Sequence, residues 1–443
     1  MSNSNTLPSF SWAGGIEDTF IPQCKPGMRP LEEYELTQHY SQWREDLDRA
    51  ASLGISKLRW GVPWYRVEPQ PDVFDWTWVD QVLDYMINML HIEPIIDLVH
   101  YGTPLWLEGS FIDPTYVERV ALYAREFALR YQGMVKFYTP LNEPTVNGDF
   151  CCRVAQWPPY LTGDEGYTRV MLSIAAGVQA TAHVLRDVDP ECTLVAVEAM
   201  HLYRARSKEA EPEADFAFYK DVICWDLARG AVDENHPLYA WLKSNGATDE
   251  QLEELRATPI EQDVFGVNLY PWSTNDILMD DKGKPHYVNG PSDGRYLAEV
   301  LRRTYQYVKK PLFVTETSAP GDRTNRALWM SETIDAVRTV RGEGIPVIGY
   351  TWFPLITMIG WEYRTSNKPV ADHLLHLGLW DSRFDETGKL VRHETPLVED
   401  YRDWIRRGME LPVCVQAPAG TTFGARLLRL FQKLASIIRH AWN

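Results

Sequence analysis

Residues 135–144 read VKFYTPLNEP, a short apolar run that ends in a cluster of polar residues. The apolar side chains predict a buried β-strand, and Asn142 and Glu143 follow at the point where that strand ends. In α/β barrels the reactive groups stand at the carboxyl ends of the strands. The stretch therefore predicts a barrel strand that presents an amide and a carboxyl to a shared cavity.

The same rhythm, a short apolar run followed by a longer segment of helical period, recurs along the chain. Eight runs are predicted strands: 10–16, 56–60, 94–99, 135–141, 193–198, 264–270, 312–315 and 346–352. The predicted helices between them span 38–53, 76–90, 116–131, 167–188, 214–228, 294–309 and 325–341. Such alternation indicates parallel strands joined by crossover helices. Eight strands, with no glycine-rich dinucleotide turn after the first, favour a closed (β/α)8 TIM barrel over an open sheet.

Composition limits the classes of ligand. A hydrophobic fraction of 45% and a charged fraction of 24% are typical of a large globular core that needs neither disulfides nor metals to fold. The formal net charge of -17 opposes binding of nucleic acid and of anionic substrates, so we expect a neutral small molecule. The 17 Trp and 22 Tyr offer flat faces for sugars, although large cores use these residues too.

The compartment is predicted from the chain start and the cysteines. The opening MSNSNTLPSF lacks the basic and apolar segments of a secretory signal, and no stretch reaches transmembrane length. The six cysteines show no metal-ligand spacing, and Cys151 and Cys152 are adjacent, which disfavours a disulfide between them. We therefore expect a cytoplasmic protein with reduced thiols, no metal and no cofactor.

Polar residues end several of the predicted strands, namely His100, Asn142, Glu143, Asn268, Tyr270 and Glu316. Cleavage of a glycosidic bond requires two carboxyls that face one cavity. One protonates the leaving oxygen, and the other stabilises or attacks the anomeric carbon. A single strand-end glutamate is also a common ion-pair partner of a helix. The presence of Glu316 on another strand, besides Glu143, is what favours chemistry over a structural role.

Several segments resemble glycoside hydrolase family 1, and they occur in that family's order. Residues 138–144, YTPLNEP, are similar to its acid/base motif, and residues 313–317, FVTET, to its nucleophile motif. Four further segments resemble its first, second, sixth and eighth strands: 10–17, 58–67, 265–270 and 349–352. The chain is therefore identified as a divergent member of this family.

The resemblance implies a role for each candidate residue. Glu143 would be the acid/base and Glu316 the nucleophile of a retaining β-glycosidase, which acts by double displacement through a covalent glycosyl-enzyme. Arg59 would pair with Glu316 and keep it ionised, and Tyr270 would hydrogen-bond the same carboxylate. Substrate contacts are implied for His100, Asn142, Asn268, Tyr270, Trp352 and Glu362.

Three functions remain open at this stage. Hydrolysis of a small-molecule β-glycoside or of a glycolipid is the first. Transglycosylation to a sugar or lipid acceptor is the second, because the same two carboxyls serve both and only water access differs. A non-catalytic carbohydrate-binding protein is the third, and the retained pair of glutamates argues against it.

The sequence departs from the family on the side that recognises the sugar. Gly15 stands where the family has a hydroxyl-binding Gln, and residues 100–104 read HYGTP instead of His-Trp-Asp-x-Pro. An acidic segment of the family is replaced by residues 353–362, in which Trp361 and Glu362 are the candidate replacement contacts. We identify no basic cluster for a phosphate. Altered sugar specificity is therefore expected.

The predicted domains are a barrel over residues 1–411, a Pro/Gly/Ala-rich linker over 412–423 and a basic amphipathic helix over 424–443. The apolar stripe of that helix comprises Leu427, Leu430, Phe431, Leu434, Ile437, Ile438 and Trp442. On an acidic protein such a helix is a candidate for peripheral contact with an anionic membrane. Docking on the barrel or on a partner subunit is the alternative, and the sequence leaves the oligomeric state open.

Overall fold

The computed structural model describes residues 9–409, which form a closed barrel of eight parallel strands. The strands are β1 Ser11–Gly15, β2 Lys57–Gly61, β3 Glu93–Asp97, β4 Phe137–Thr139, β5 Thr193–Ala199, β6 Val264–Asn268, β7 Leu312–Thr317 and β8 Val347–Trp352. Each strand pairs with its neighbour in chain order, and β8 closes the ring on β1 with Ser11 opposite Gly349. The predicted TIM barrel is confirmed, with all eight strands in the predicted places.

Helices connect successive strands on the outside of the barrel. The longer ones are His39–Ser52, Thr77–Asp84, Tyr116–Arg130, Gly163–Val188, Glu211–Ala228, Asp249–Ala257, Leu297–Val308, Arg323–Gly342 and Leu397–Arg407. Some helix boundaries differ from the predicted ones because local hydrogen bonding sets them. The helix predicted over 76–90 changes after Asp84 into a π-helical turn. The helix before β8 starts at Arg323 because the Asp322 side chain accepts a hydrogen bond from the Asn325 amide.

Short elements decorate the barrel. The short helices are Glu33–Leu36, Trp64–Val67, Pro144–Gly148 and Tyr239–Ser244, and short β-pairs join Phe20–Ile21 to Leu31–Glu32, Met358–Ile359 to Leu374–Leu375, and Trp380–Phe384 to Leu390–Glu394. A three-stranded sheet combines Leu202–Ala205, Thr274–Met279 and Pro285–Asn289. This sheet follows the carboxyl ends of β5 and β6, and the Met358–Ile359 pair follows β8. The loops at that end of the barrel are therefore long enough to shape a cleft.

The barrel interior is filled by side chains rather than open. Its core comprises Ala13, Ile95, Val195, Val197, Val264 and Phe313. The Phe313 ring lies against Gly349, so that a Cβ atom at Gly349 would fall 1.3 Å from a ring carbon. On the outside, the Tyr401 hydroxyl donates to the Ala13 carbonyl at 2.7 Å and fastens the last described helix to β1. The closed, packed ring gives the site a rigid base.

We predict that Gly349→Ala destabilises the protein by about 1–3 kcal/mol, because the added methyl overpacks the barrel interior against Phe313. Gly342→Ala is the matched control, since no heavy atom lies within 4 Å of a Cβ at that helical position. Thermal or urea unfolding of both variants checks this. Equal stabilities for the two alanine variants would contradict the packing described for β7 and β8.

The predicted linker over 412–423 and the predicted helix over 424–443 lie outside the described residues. Within residues 9–409, no helix combines the length and the apolar character needed to cross a bilayer. The domain boundary near residue 411 stays a prediction.

Candidate active site

A cleft of about 960 Å³ opens at the carboxyl ends of the barrel strands. Residues from six of its eight strand ends contribute to the lining, among them Glu17, His100, Glu143, Ala199, Asn268 and Glu316. Both predicted catalytic glutamates therefore face one cavity, as the strand-end argument requires. The polar groups converge on one wall, which is the arrangement expected of a reactive centre.

Glu143 is aimed into the cleft by the turn that its own sequence encodes. Its backbone lies in the left-handed region, with φ 45° and ψ 65°, immediately before the helix Pro144–Gly148. Proline is favoured at the first position of a helix, and the chain must turn sharply to begin one here. The Glu143 amide donates to the Val197 carbonyl of β5 at 3.1 Å. The strained conformation is thus held by the barrel, and such strain is concentrated at functional sites.

Two neutral donors hold the Glu143 carboxyl. Asn268 donates from Nδ2 to Oε1 at 2.8 Å, and the Tyr101 hydroxyl donates to Oε2. The orientation of the Asn268 amide is fixed because its oxygen accepts from the Thr315 hydroxyl at 2.6 Å. Asn268 therefore acts on the carboxyl of Glu143 in addition to lining the cleft.

The pKa of Glu143 is raised from 4.5 to about 7. Burial is the largest cause, and the nearby charge of Glu316 adds to it, while the hydrogen bonds from Tyr101 and Asn268 oppose the rise. A carboxyl with this pKa keeps its proton up to neutral pH. Glu143 is therefore suited to protonate a leaving group.

Glu316 has a different environment, dominated by a cation. The pairing of β7 shifts register between Val314 and Glu316, a local irregularity that changes the direction of the side chain. Its Oε1 accepts from Arg59 Nη1 at 2.5 Å, and its Oε2 accepts from the Tyr270 hydroxyl at 2.7 Å. Both contacts that the resemblance implied for this carboxylate are present.

Arg59 joins three strands beneath the cleft. Besides Glu316, its guanidinium contacts Asp97 at 2.5 Å and the Asn142 side-chain oxygen at 3.0 Å, and it is fully buried. Burial, the largest single cause, would raise the pKa of Asp97, but the charge of Arg59 and the contacts with His100 and Thr139 together lower it. The ionised pair is what makes a buried guanidinium tolerable.

His100 and Asn142 lie beside this pair. The Asn142 oxygen faces Arg59, and its amide nitrogen lies 3.1 Å from His100 Nε2. The other ring nitrogen, Nδ1, lies 2.9 Å from an Asp18 oxygen, and against the effect of burial the neighbouring carboxylates raise the pKa of His100 well above its usual value. The same Asn142 amide donates to the Tyr101 hydroxyl at 2.9 Å. Asn142 thus orders the residues around Glu143.

The structure separates the predicted substrate-binding residues into two groups. His100, Asn268 and Tyr270 line the cleft, whereas Asn142, Trp352 and Glu362 are not among its lining residues. Trp352 is fully buried and donates to the Leu377 carbonyl at 3.1 Å. Glu362 contacts His373 at 3.2 Å. The sugar contacts that the resemblance implies for these last three residues stay predictions.

Phe353 directly follows β8, and its ring packs beside Gly15 of β1. A Cβ atom at Gly15 would fall 2.2 Å from a carbon of that ring. The position at which the family carries a hydroxyl-binding Gln is therefore filled by an aromatic ring from another strand end.

Apolar and aromatic side chains also line the cleft. Trp361 lines the cleft and contacts the rings of Trp157 and Phe150, each at a centroid distance of 5.2 Å. Val146, Met358, Leu375 and Leu377 also contribute apolar side chains to the lining. Of the two candidate replacement contacts, Trp361 is thus in the cleft and Glu362 is not.

Sequence reasoning missed two residues. Tyr101 hydrogen-bonds Glu143, yet it stood out in the sequence as a departure from the family pattern. Glu17 lines the cleft, and it lies in the family-like stretch 10–17 without having been assigned a role. A buried carboxyl next to a strand end was the available signal for Glu17.

A closed parallel barrel with two glutamates at one cleft, one near-neutral in pKa and one paired with arginine, defines a glycoside-cleaving barrel enzyme. Residues 18–278 match the family model described as Glycosyl hydrolase family 1. The chain therefore belongs to glycosyl hydrolase family 1, as the sequence resemblance indicated.

Individual relatives are distant. The chain is 24% identical to Aryl-phospho-beta-D-glucosidase BglA of Bacillus subtilis (strain 168), over 85% of this chain and 87% of that protein. It is 29% identical to 6-phospho-beta-glucosidase AscB of Escherichia coli (strain K12), over 74% and 76%. A solved family 1 β-glucosidase from Thermotoga maritima matches with a TM-score of 0.78 and 16% identity, covering 90% of this chain and 97% of that one. The family is shared, and the sequences have diverged widely.

We predict that Tyr101→Phe moves the basic limb of the pH profile of kcat/KM upward by about one pH unit. The lost hydroxyl stabilises the ionised form of Glu143, so its removal raises a pKa already near 7 and keeps the acid protonated to higher pH. Tyr138→Phe is the control, because that hydroxyl contacts the Val135 carbonyl instead. A basic limb that is unmoved or lowered in the Tyr101 variant would contradict the assignment.

Proposed function

We propose that this family 1 enzyme is a retaining β-glycosidase, with Glu143 as acid/base and Glu316 as nucleophile. The observation that carries the proposal is the contrast between the two carboxyls. Glu143 is held by neutral donors and has a pKa of about 7, whereas Glu316 is paired with the buried cation Arg59. Retaining cleavage needs one protonated and one ionised carboxyl at the start of the reaction.

In the first step the Glu316 carboxylate attacks the anomeric carbon as the bond to the leaving oxygen breaks. Glu143 transfers its proton to that oxygen, and the leaving alcohol departs. Arg59 and Tyr270 keep the attacking carboxylate in place. The products of this step are a glycosyl ester on Glu316 and an ionised Glu143.

In the second step Glu143 acts as a base. It takes a proton from water, the water oxygen bonds to the anomeric carbon, and the ester bond to Glu316 breaks. Since the charge of Glu316 is neutralised in the ester, one cause of the raised Glu143 pKa is removed while the base is needed. Both glutamates return to their starting protonation states.

We propose a neutral β-glycoside, such as a β-glucoside, as the substrate. The two bacterial relatives compared above carry phospho-glucosidase names, but within residues 9–409 neither Lys nor Arg lines this cleft. The carboxyls of Glu17, Glu143 and Glu316 line it, together with the imidazoles of His100 and His201. An anionic phosphate would meet three acidic side chains there and would find no Lys or Arg among the described lining residues.

No feature of the described residues specifically favours transglycosylation or non-catalytic carbohydrate binding. The acid/base and nucleophile environments would serve transfer as well as hydrolysis, but no acceptor site distinguishes the two. A glycolipid substrate and a membrane contact were inferred from residues 424–443, and they stay predictions.

We predict that Glu316→Ala lowers kcat on 4-nitrophenyl β-glycosides by on the order of 10⁴-fold or more, because no carboxylate is left to form the ester. Glu143→Ala should lower kcat/KM for alkyl glycosides by about 10²–10⁴-fold and for nitrophenyl glycosides far less, since kcat/KM reports the first step and nitrophenolate leaves without a proton. Steady-state kinetics on both substrate types measure this. Glu386→Ala, at an exposed position, is the control. Wild-type rates in the Glu316 variant would refute the proposed nucleophile.

A further inference from the structure

The cleft lacks the hydroxyl-binding Gln that the family carries at the position of Gly15, but it contains a nearby carboxyl with no assigned role. Phe353 fills the space at Gly15, so no side chain from that position reaches a hydroxyl. Two residues further on, Glu17 lines the cleft and has 5% of its surface exposed. Its position between the β1 end and the cleft brings a carboxyl to the side where the family's carboxamide is missing.

One oxygen of Glu17 is occupied and the other is not. Oε1 accepts from the Thr19 amide at 3.2 Å and from the Thr19 hydroxyl at 2.6 Å. Among residues 9–409, no hydrogen bond to Oε2 accompanies these two. Thr19 therefore fixes the carboxyl group while Oε2 is left for a group that enters the cleft.

We propose that Glu17 is a specificity-determining residue that binds a hydroxyl of the glycone through Oε2. This inference rests on the proposed function, since it assumes that a glycoside occupies the cleft. The hydrogen bond from Glu17 would take the place of the one that Gly15, which has no side chain, cannot make.

The surroundings make such a contact consequential. The side chains of Met358, Leu375 and Leu377, which also line the cleft, offer a sugar no hydrogen bonds. A buried hydrogen bond to a carboxyl is stronger than one between neutral groups, so a bond to Glu17 should contribute strongly to sugar binding. Burial raises the pKa of Glu17 to about 7, against the opposing charge of His100. In both protonation states a carboxyl bonds a hydroxyl, as acceptor when ionised and also as donor when protonated.

The test is a substrate–enzyme double-mutant cycle. The unaltered enzyme is first assayed on 4-nitrophenyl β-D-glucoside, galactoside, mannoside and xyloside. The best substrate is then compared with its monodeoxy analogues at each ring hydroxyl, using the unaltered enzyme and Glu17→Ala, which removes the hydrogen-bonding group. For one analogue we expect kcat/KM to fall about 10- to 100-fold with the unaltered enzyme, and Glu17→Ala to lower kcat/KM for the parent substrate similarly.

The decisive result is whether the loss in kcat/KM caused by the deoxy substrate and the loss caused by the substitution add. If Glu17 binds the missing hydroxyl, the Glu17→Ala variant with that analogue shows no greater loss than either change alone, whereas its losses with the other analogues add. Glu32→Ala is the matched control, because Glu32 is a buried glutamate whose pKa is also raised to about 7 but which does not line the cleft. Its effects should add with every analogue.

A second measurement avoids any change at Glu17, in case its variants fail to fold. Crystals of Glu316→Gln soaked with the best substrate should show a glycone hydroxyl within about 3.2 Å of Glu17 Oε2. Additive losses for every analogue, or a bound sugar that does not touch Oε2, would overturn the inference while the enzyme remains a glycosidase. Failure to cleave any glycoside of the panel would instead contradict the proposed function, and the inference would fall with it.

Discussion

The buried guanidinium of Arg59 is the interaction on which the site depends. It connects β2 to Asp97 on β3 and to Glu316 on β7, and it reaches Asn142 beyond β4. Leaving a buried charge without its partner costs about 3–5 kcal/mol, so the strands that carry these residues are held in one arrangement. The nucleophile is therefore positioned by the same contact that the barrel needs in order to bury Arg59.

The contact between Arg59 and Glu316 gives the two glutamates different environments and therefore different proposed roles. Glu316 lies on the cation, and Glu143 lies beyond it among neutral donors and apolar walls. The charge of Glu316 is itself one reason that the pKa of Glu143 rises to about 7. Two identical side chains thus have different surroundings, because Glu316 is beside Arg59 and Glu143 is held by neutral donors. Tyr101, Asn268 and Thr315 then set the orientation of the acid.

The barrel was predictable because buried parallel strands appear as short apolar runs, and the segments at 135–141 and 312–315 are of this kind. The contacts of Glu316 with Arg59 and Tyr270 followed from the family resemblance. The sugar side did not follow, because residues 353–377 have no periodicity that indicates their path. Phe353 fills the space at Gly15 through packing between strands far apart in the chain. Trp352 and Glu362 are not among the residues that line the cleft, and the sugar contacts that the resemblance implied for them stay predictions.

The stereochemistry of cleavage tests the retaining assignment of Glu143 and Glu316 most directly. The enzyme is added to a nitrophenyl β-glycoside in D₂O, and the anomeric proton of the released sugar is followed by NMR before mutarotation. Double displacement through Glu316 predicts that the β-anomer appears first and that the α-anomer grows later by mutarotation alone. If the α-anomer appeared first, water would have attacked the anomeric carbon directly, and Glu316 would not be the nucleophile.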